Sequence, residues 1–417
     1  MSNIRLDKNR DLLARSKKVL ASPSTFSKLE LFGNGETPFC LAKGQGAHVW
    51  DVDNNKYIDY VMGLGCVTLG YNHPKVNQAI SEQLSNGVAF SLPTSLEIEV
   101  AEMLIERIPS AEMVRFGKNG NDVTSAAVRI ARYVTKKDHI LFCGYHGWQD
   151  WYISQSSKNG GIPDCVKELS HRFTYNDINS LTKLIQQYKD NVACIILEPI
   201  SKEWPVNNFL EKIRDLATKN NIVLIFDEVV TGFRFHKAGV QALMNVTPDL
   251  SCFSKAIANG MPLSVLVGKA EIMSQFNEIF FSLTNAGETL SLAAAKAVIQ
   301  FYDEADVPAR LSDSGGKLKK GLWALIDKYD LKDRMKMTGF DCRFWVAFTD
   351  PGNPRYDPTE DLLYWTKLTT ANGILSSGGH IISYAHTNAV IQETLLKYDQ
   401  ILLHMKTKLQ KREAYIV

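Results

Sequence analysis

Ile222-Val223-Leu224-Ile225-Phe226-Asp227-Glu228-Val229 is the stretch whose reading decides the fold. Five apolar residues in a row end on an acid. That is the pattern of a strand buried on both faces, with a carboxylate at its carboxyl end. Working outward, similar short apolar runs recur at 140–143, 192–197 and 265–267. Helical patterns at 95–107, 122–134, 177–188 and 207–220 fall between them. Apolar runs alternating with helices predict parallel strands in a central sheet with helices on both sides, an α/β layout. Ligands of such sheets bind beyond the carboxyl ends of the strands. Asp227 stands at one such end and Tyr145 just past another, so both are expected to line one crevice.

The flanking regions read differently. Residues 1 to about 30 read as a charged helix with Leu12, Leu13, Val19 and Leu20 as an apolar stripe. Residues 47–60 alternate apolar and polar on both sides of Asp53-Asn54-Asn55, a hairpin pattern. After about residue 300 a helix near 291–303, a strand at 342–348 and a closing helix near 387–411 predict a smaller α+β domain. The expected division is an N-terminal segment at 1–50 packing with the small domain, a large domain at 51–300, and a small domain at 301–417.

Composition excludes several classes. A 417-residue chain with 45% hydrophobic and 22% charged residues is an ordinary globular protein with room for more than one domain. The formal net charge of +2 offers no footprint for nucleic acid or an anionic membrane. No apolar run approaches the roughly 20 residues that span a bilayer, and the polar start lacks a signal-peptide core. Seven scattered cysteines without a CxxC pair predict reduced thiols and a cytoplasmic protein.

Candidate chemistry begins with Ser254-Lys255-Ala256-Ile257-Ala258-Asn259-Gly260-Met261-Pro262, 28 residues after Asp227. Most lysines are surface residues, but this one follows the apolar Leu250, Cys252 and Phe253 and precedes a Gly-Pro turn. A lysine that forms an imine and an acid that keeps a pyridine nitrogen protonated are the two groups that pyridoxal 5'-phosphate (PLP) requires of a protein. Val229 is placed to pack on a ring face or in the core. Asn119-Gly120-Asn121 opens a helical pattern, and a helix start presents free amides to a phosphate. Tyr145 in Gly144-Tyr145-His146-Gly147 reads equally as a stacking aromatic or a core one. His146 reads first as a packed, hydrogen-bonded histidine. No metal site is predicted.

Taken together these residues resemble the class III aminotransferases of PLP fold type I (aspartate aminotransferase-like), and most closely the branch around glutamate-1-semialdehyde 2,1-aminomutase. The resemblance rests on Thr37-Pro38-Phe39, Asp51-Val52-Asp53, Gly70-Tyr71-Asn72-His73-Pro74, Tyr145-His146-Gly147, Glu198-Pro199, 227–234 and 254–260, all in family order. It implies that Lys255 carries the cofactor and that Asp227 pairs with its ring nitrogen. It implies further that Tyr145 stacks on the ring, that Gly120 and Asn121 hold the phosphate, and that Glu198 lies near the cofactor. Thr284 matches a threonine that reaches the phosphate of the neighbouring subunit, which implies a homodimer with shared active sites.

Three departures from the aminomutase pattern stand out, the first at a contact to the cofactor's phenolic oxygen and the other two at substrate recognition. The asparagine that follows Glu-Pro in the aminomutase is absent from Ile200-Ser201-Lys202-Glu203-Trp204. Its N-terminal carboxylate-binding arginine is absent from 22–28, where Lys28 stands nearby, and a C-terminal glutamate is missing from 376–383. The expected function is a PLP-dependent transaminase moving an amino group from an amino acid such as glutamate to a carbonyl acceptor, a sugar-derived or hydroxylated aldehyde or ketone. An intramolecular aminomutase is the alternative, and a non-catalytic PLP-fold binding protein the third. The loop at 148–163 is expected to act as a lid.

Overall fold

The computed structural model describes residues 4–22, 32, 34–351, 353 and 356–413. Lys28 and the rest of 23–28 lie outside the described residues. The chain forms two compact units, one of residues 1–73 with 309–417 and one of residues 74–308.

The first unit opens with a helix at Asp7–Val19. Val19 and Leu20 of the expected apolar stripe are exposed, and the buried residue of this helix is Asn9. Asn9 Nδ2 donates to Asp51 and Asp53, and its Oδ1 accepts the amides of Phe39 and Cys40 at 2.7 and 2.9 Å. Strands β1 (Leu41–Gln45), β2 (His48–Asp51) and β3 (Lys56–Asp59) follow. The β2–β3 hairpin is the one its alternation predicts, with Val49 opposite Tyr57. Asp51 closes the turn by accepting the amides of Asp53 and Asn55 and the hydroxyl of Tyr57.

In the second unit seven strands form one sheet: β4 (Met113–Gly117), β5 (His139–Cys143), β6 (Ser170–Arg172), β7 (Val192–Leu197), β8 (Val223–Asp227), β9 (Leu250–Phe253) and β10 (Ser264–Gly268). Their order is β4-β10-β9-β8-β7-β5-β6. The strands from β6 across to β9 run parallel. The run at 265–267 was expected to be parallel as well, but β10 is antiparallel to both neighbours. The link from Phe253 to Ser264 is short and carries only a 3₁₀ turn. A parallel return needs a crossover of a dozen residues or more, usually a helix.

Successive side chains of these strands point to opposite faces. Phe142, Ile196 and Ile225 pack with Val123, Ala127 and Ile130 of the helix Gly120–Thr135. Leu141, Ile195, Leu197, Leu224 and Phe226 pack on the other side with Leu181, Leu210 and Ile213, from the helices Ile178–Gln187 and Phe209–Lys219. Both faces are dry, which is why these strands read as unbroken apolar runs.

The first unit resumes with β11 (Met335–Phe340), β12 (Arg343–Phe348), β13 (Ile374–Leu375) and β14 (Gly379–Ile381). Strands β11, β12 and β14 form an antiparallel sheet, while β13 pairs in parallel with β3. Two fully buried histidines follow. His386 Nδ1 accepts the amide of Ser383 at 2.9 Å and Nε2 donates to the carbonyl of Asp59 at 3.1 Å, which requires the neutral ring. His380 stacks on Phe344 and hydrogen-bonds the Tyr398 hydroxyl at 2.6 Å.

Burial pushes the His380 imidazole down to about 3 and the His386 imidazole down to about 4. Both take up protons on unfolding below the ordinary histidine value near 6.5. Their stabilisation is therefore complete above that value and is lost as pH falls from there toward 4. At pH 5 the loss is about 2 kcal/mol for each. Urea midpoints should be lower at pH 5 than at pH 7.5, with part of the difference removed in His386→Asn. Equal midpoints count against neutral burial.

Candidate active site

The sheet of the second unit brings the predicted residues other than Thr284 to one edge. Across its register Cys143 is beside Leu197, Leu197 beside Phe226, and Asp227 beside Cys252. The residues just past those positions are Tyr145 and His146, Glu198, and Lys255, at the carboxyl ends of β5, β7 and β9. Strand β4 is separated from β9 by one antiparallel strand, so it too ends on that edge. Phe116 and Phe253 both lie opposite Val265. The Lys118–Asn121 turn therefore joins the group.

Asp227 is 3% exposed. Its Oδ2 lies 2.7 Å from His146 Nδ1, and its Oδ1 accepts the amide of Val229 at 3.0 Å. His146 Nε2 contacts the carbonyl of Cys143 at 3.2 Å. Both ring nitrogens have an oxygen within hydrogen-bond distance. His146 is thus packed and hydrogen-bonded, as expected, and its partner is the site acid.

Glu198 Oε2 accepts the amide of Tyr145 at 3.0 Å. The approach is close enough that a Cβ on Gly144 would lie 2.7 Å from that oxygen, and Gly144 has φ +112°. Only glycine suits both conditions. Tyr145 is 62% exposed, and its ring meets Tyr152 edge to face at 5.6 Å. Tyr145 is therefore not a core aromatic.

Lys255 starts a 3₁₀ turn with φ +47°, between the buried Ser254 and Ala256. Left-handed backbone is costly for a residue with a side chain, and such strain gathers at functional positions. Ser254 Oγ donates to the carbonyl of Leu263 at 2.7 Å and pins the turn.

The polar turn Lys118–Asn121 leads into the helix Gly120–Thr135. The amides of Lys118 and Asn119 donate to Asp122 Oδ2 at 3.1 and 2.7 Å. The amides that follow, from Gly120 and Asn121, belong to the first helical turn, where intrahelical acceptors are lacking. A Cβ on Gly120 would lie 2.9 Å from Val229 Cγ1, so the helix start rests directly on the residue two beyond Asp227. Thr124 Oγ1 donates to the carbonyl of His146 at 3.2 Å and ties the same helix to the Tyr145 loop. Thr284 is not part of this group; it is exposed in a turn before the helix Thr289–Glu304.

Some contributors escaped the sequence reading. Asp122 carries the signal, an acid three residues after a helix-capping Asn, that could have found it. Lys118 and Glu288, 2.7 Å apart, carry none. Glu228 is fully buried and accepts the hydroxyl of Thr231 and the amide of Val240. A separate cavity of about 820 Å³ in the first unit is lined by residues including Leu12, Phe39, Leu64 and Leu375, and none of the predicted site residues lines it.

The family model described as aminotransferase class-III matches residues 32–356. The chain belongs to the class III aminotransferases. It is 32% identical to glutamate-1-semialdehyde 2,1-aminomutase 2 of Lachnoclostridium phytofermentans, over 95% of this chain and 99% of that protein. Among solved structures, the FumI protein of Sphingopyxis sp. MTA144, in its PLP internal aldimine form, matches with a TM-score of 0.89 at 26% identity, covering 96% of this chain and 97% of that one. An omega-transaminase from Sphaerobacter thermophilus matches with a TM-score of 0.83 at 25% identity, covering 95% and 97%. The fold is PLP fold type I, and PLP is the cofactor of this family. The buried Asp227 carboxylate, the strained Lys255 turn and the Gly120 cradle fit that group. Among the described residues no helix is long and apolar enough to cross a membrane.

The Gly120–Val229 contact is testable. Gly120→Ala should lower stability by about 1–3 kcal/mol through overpacking. Gly120→Ala with Val229→Ala should recover most of the loss in thermal unfolding, because the γ-methyls that clash are gone. A double variant no better than the single one rules out the contact as the cause.

Proposed function

We propose that this transaminase moves an amino group from an amino-acid donor, glutamate, to a hydroxylated or sugar-derived carbonyl acceptor. The observation that carries the reading is the pairing of parallel strands β8 and β9, with Asp227 beside Cys252 and Lys255 just beyond. Lys255, Asp227, Tyr145, His146, Val229, Glu198 and the turn 119–121 are the residues that hold the cofactor. When bound, PLP supplies an electron sink for the carbanion left when the donor's α-carbon loses a proton. Lys255 Nζ takes that proton and later delivers one, as general base and then acid. Asp227 keeps a negative charge against the ring nitrogen, and His146 and the Val229 amide hold its two oxygens in place. Glu198 fixes the backbone under Tyr145, which orients that ring.

The acceptor assignment rests on the missing arginine in 22–28 and on the polar, aromatic stretch Trp148-Gln149-Asp150-Trp151-Tyr152, where Trp148 is largely exposed. A homodimer is part of the reading. Leu84, Phe90, Leu92 and Ile98 leave large apolar side chains on the surface within one short stretch, as association surfaces do. In that assembly Thr284 serves the neighbouring chain's site. The protein is assigned to the cytoplasm on its scattered free cysteines.

A second reading is an intramolecular aminomutase, favoured by the 32% identical aminomutase. Loading the enzyme with pyridoxamine phosphate and screening carbonyl acceptors by absorbance separates the two. Amination of a hydroxylated carbonyl supports the first. Transfer within glutamate semialdehyde without any added donor supports the second.

Lys255→Ala should cut turnover on the order of 10³-fold or more. Asp227→Asn should retain some cofactor and lose most of the rate. Near-normal turnover in either overturns the role given to that residue. The mass in solution should equal two chains, and Phe90→Asp with Leu92→Asp should shift it toward one. A wild-type protein that stays monomeric removes the shared site.

A further inference from the structure

Residues 280–288, which include Thr284, are held at both ends by cations from one neighbouring piece of chain. Arg129 Nη1 donates to the carbonyl of Phe280 at 2.8 Å, and Arg115 Nη2 to that of Phe281 at 2.7 Å. At the far end Lys118 Nζ meets Glu288 Oε1 at 2.7 Å, with the two side chains 14% and 12% exposed. All three cations come from β4 and the turn and helix that follow it.

Lys118 is tied twice. Its amide donates to Asp122 Oδ2, which also takes the Asn119 amide. Its ammonium goes to Glu288, which in turn caps the helix Thr289–Glu304 by accepting the amides of Leu290 at 2.9 Å and Ser291 at 3.1 Å. One lysine thus joins the starts of two helices. The first begins at the phosphate turn, and the second follows the loop of Thr284. The pair is nearly dry, so losing one member strands the other charge in a poor solvent for it.

We infer that the Lys118–Glu288 ion pair is a positioning strut, setting the Thr284 loop against the phosphate turn so that one interaction places both of the chain's phosphate-binding pieces. This rests on the reading above, in which 119–121 and Thr284 bind the cofactor phosphate. The strut acts on how firmly the cofactor is held and leaves the Lys255–Asp227 chemistry alone.

The experiment follows PLP release from diluted holoenzyme by the absorbance of the bound cofactor, for Lys118→Gln, Glu288→Gln and the double variant. Each single change should speed release by about tenfold or more. The double variant, with neither charge stranded, should depart from the product of the two effects by at least about threefold. Release unchanged in the singles while the thermal midpoint falls, or effects that simply multiply, overturns the strut. Should Lys118→Gln not fold, Lys118→Arg keeps the charge. Release within about threefold of wild type then supports the assignment, and a tenfold rise overturns it. Wild-type protein that takes up no PLP, or Thr284→Ala with unaltered release, sinks the functional reading instead.

Discussion

A carboxylate buried at the end of a parallel strand is the constraint on which the rest depends. Asp227 has given up nearly all its water, so its oxygens depend on the hydrogen bonds that surround them. His146 and the Val229 amide each hold one oxygen. To bring them there the chain needs β5 beside β7 and β7 beside β8, a sharp turn after Cys143, and a helix start packed against Val229. The sheet order, the Tyr145 loop and the turn at 118–121 are in this sense consequences of satisfying one acid in a dry place.

The same economy shows at the two helix starts. Asp122 and Glu288 are each a carboxylate spent on free amides, and Lys118 connects them. An anion site at a helix start would ordinarily compete with such acids. Here Asp122 takes the amides of Lys118 and Asn119, and the amides one and two residues later open the helix. Capping and the proposed phosphate binding would thereby use different donors of one short turn.

Much of the second unit was legible in the sequence because its signals are local. Runs such as 192–197 are apolar throughout since both faces of the sheet are covered. Lys255, Asp227 and Tyr145 stood out because each lies just past such a run. What failed had non-local causes. The direction of β10 depends on the length of its link. The strand β13 exists only by pairing with β3, more than three hundred residues earlier. Asn9 looked like one more polar residue on a charged helix, yet it is the residue that docks that helix, because its partners Asp51 and Asp53 lie far along the chain. The partnership of Lys118 with Glu288 spans 170 residues and leaves no periodic trace.

By itself the sequence determined which segments are buried strands and helices, and which side chains stand at strand ends with the right chemistry. Periodicity and residue type encode solvent exposure and reactivity, and both are properties of short stretches. Only the tertiary structure decided who touches whom: His146 on Asp227, Glu198 under Tyr145, Gly120 on Val229, Lys118 on Glu288. Those contacts follow from strand order and register, and close packing, not local preference, selects the arrangement that brings these partners together.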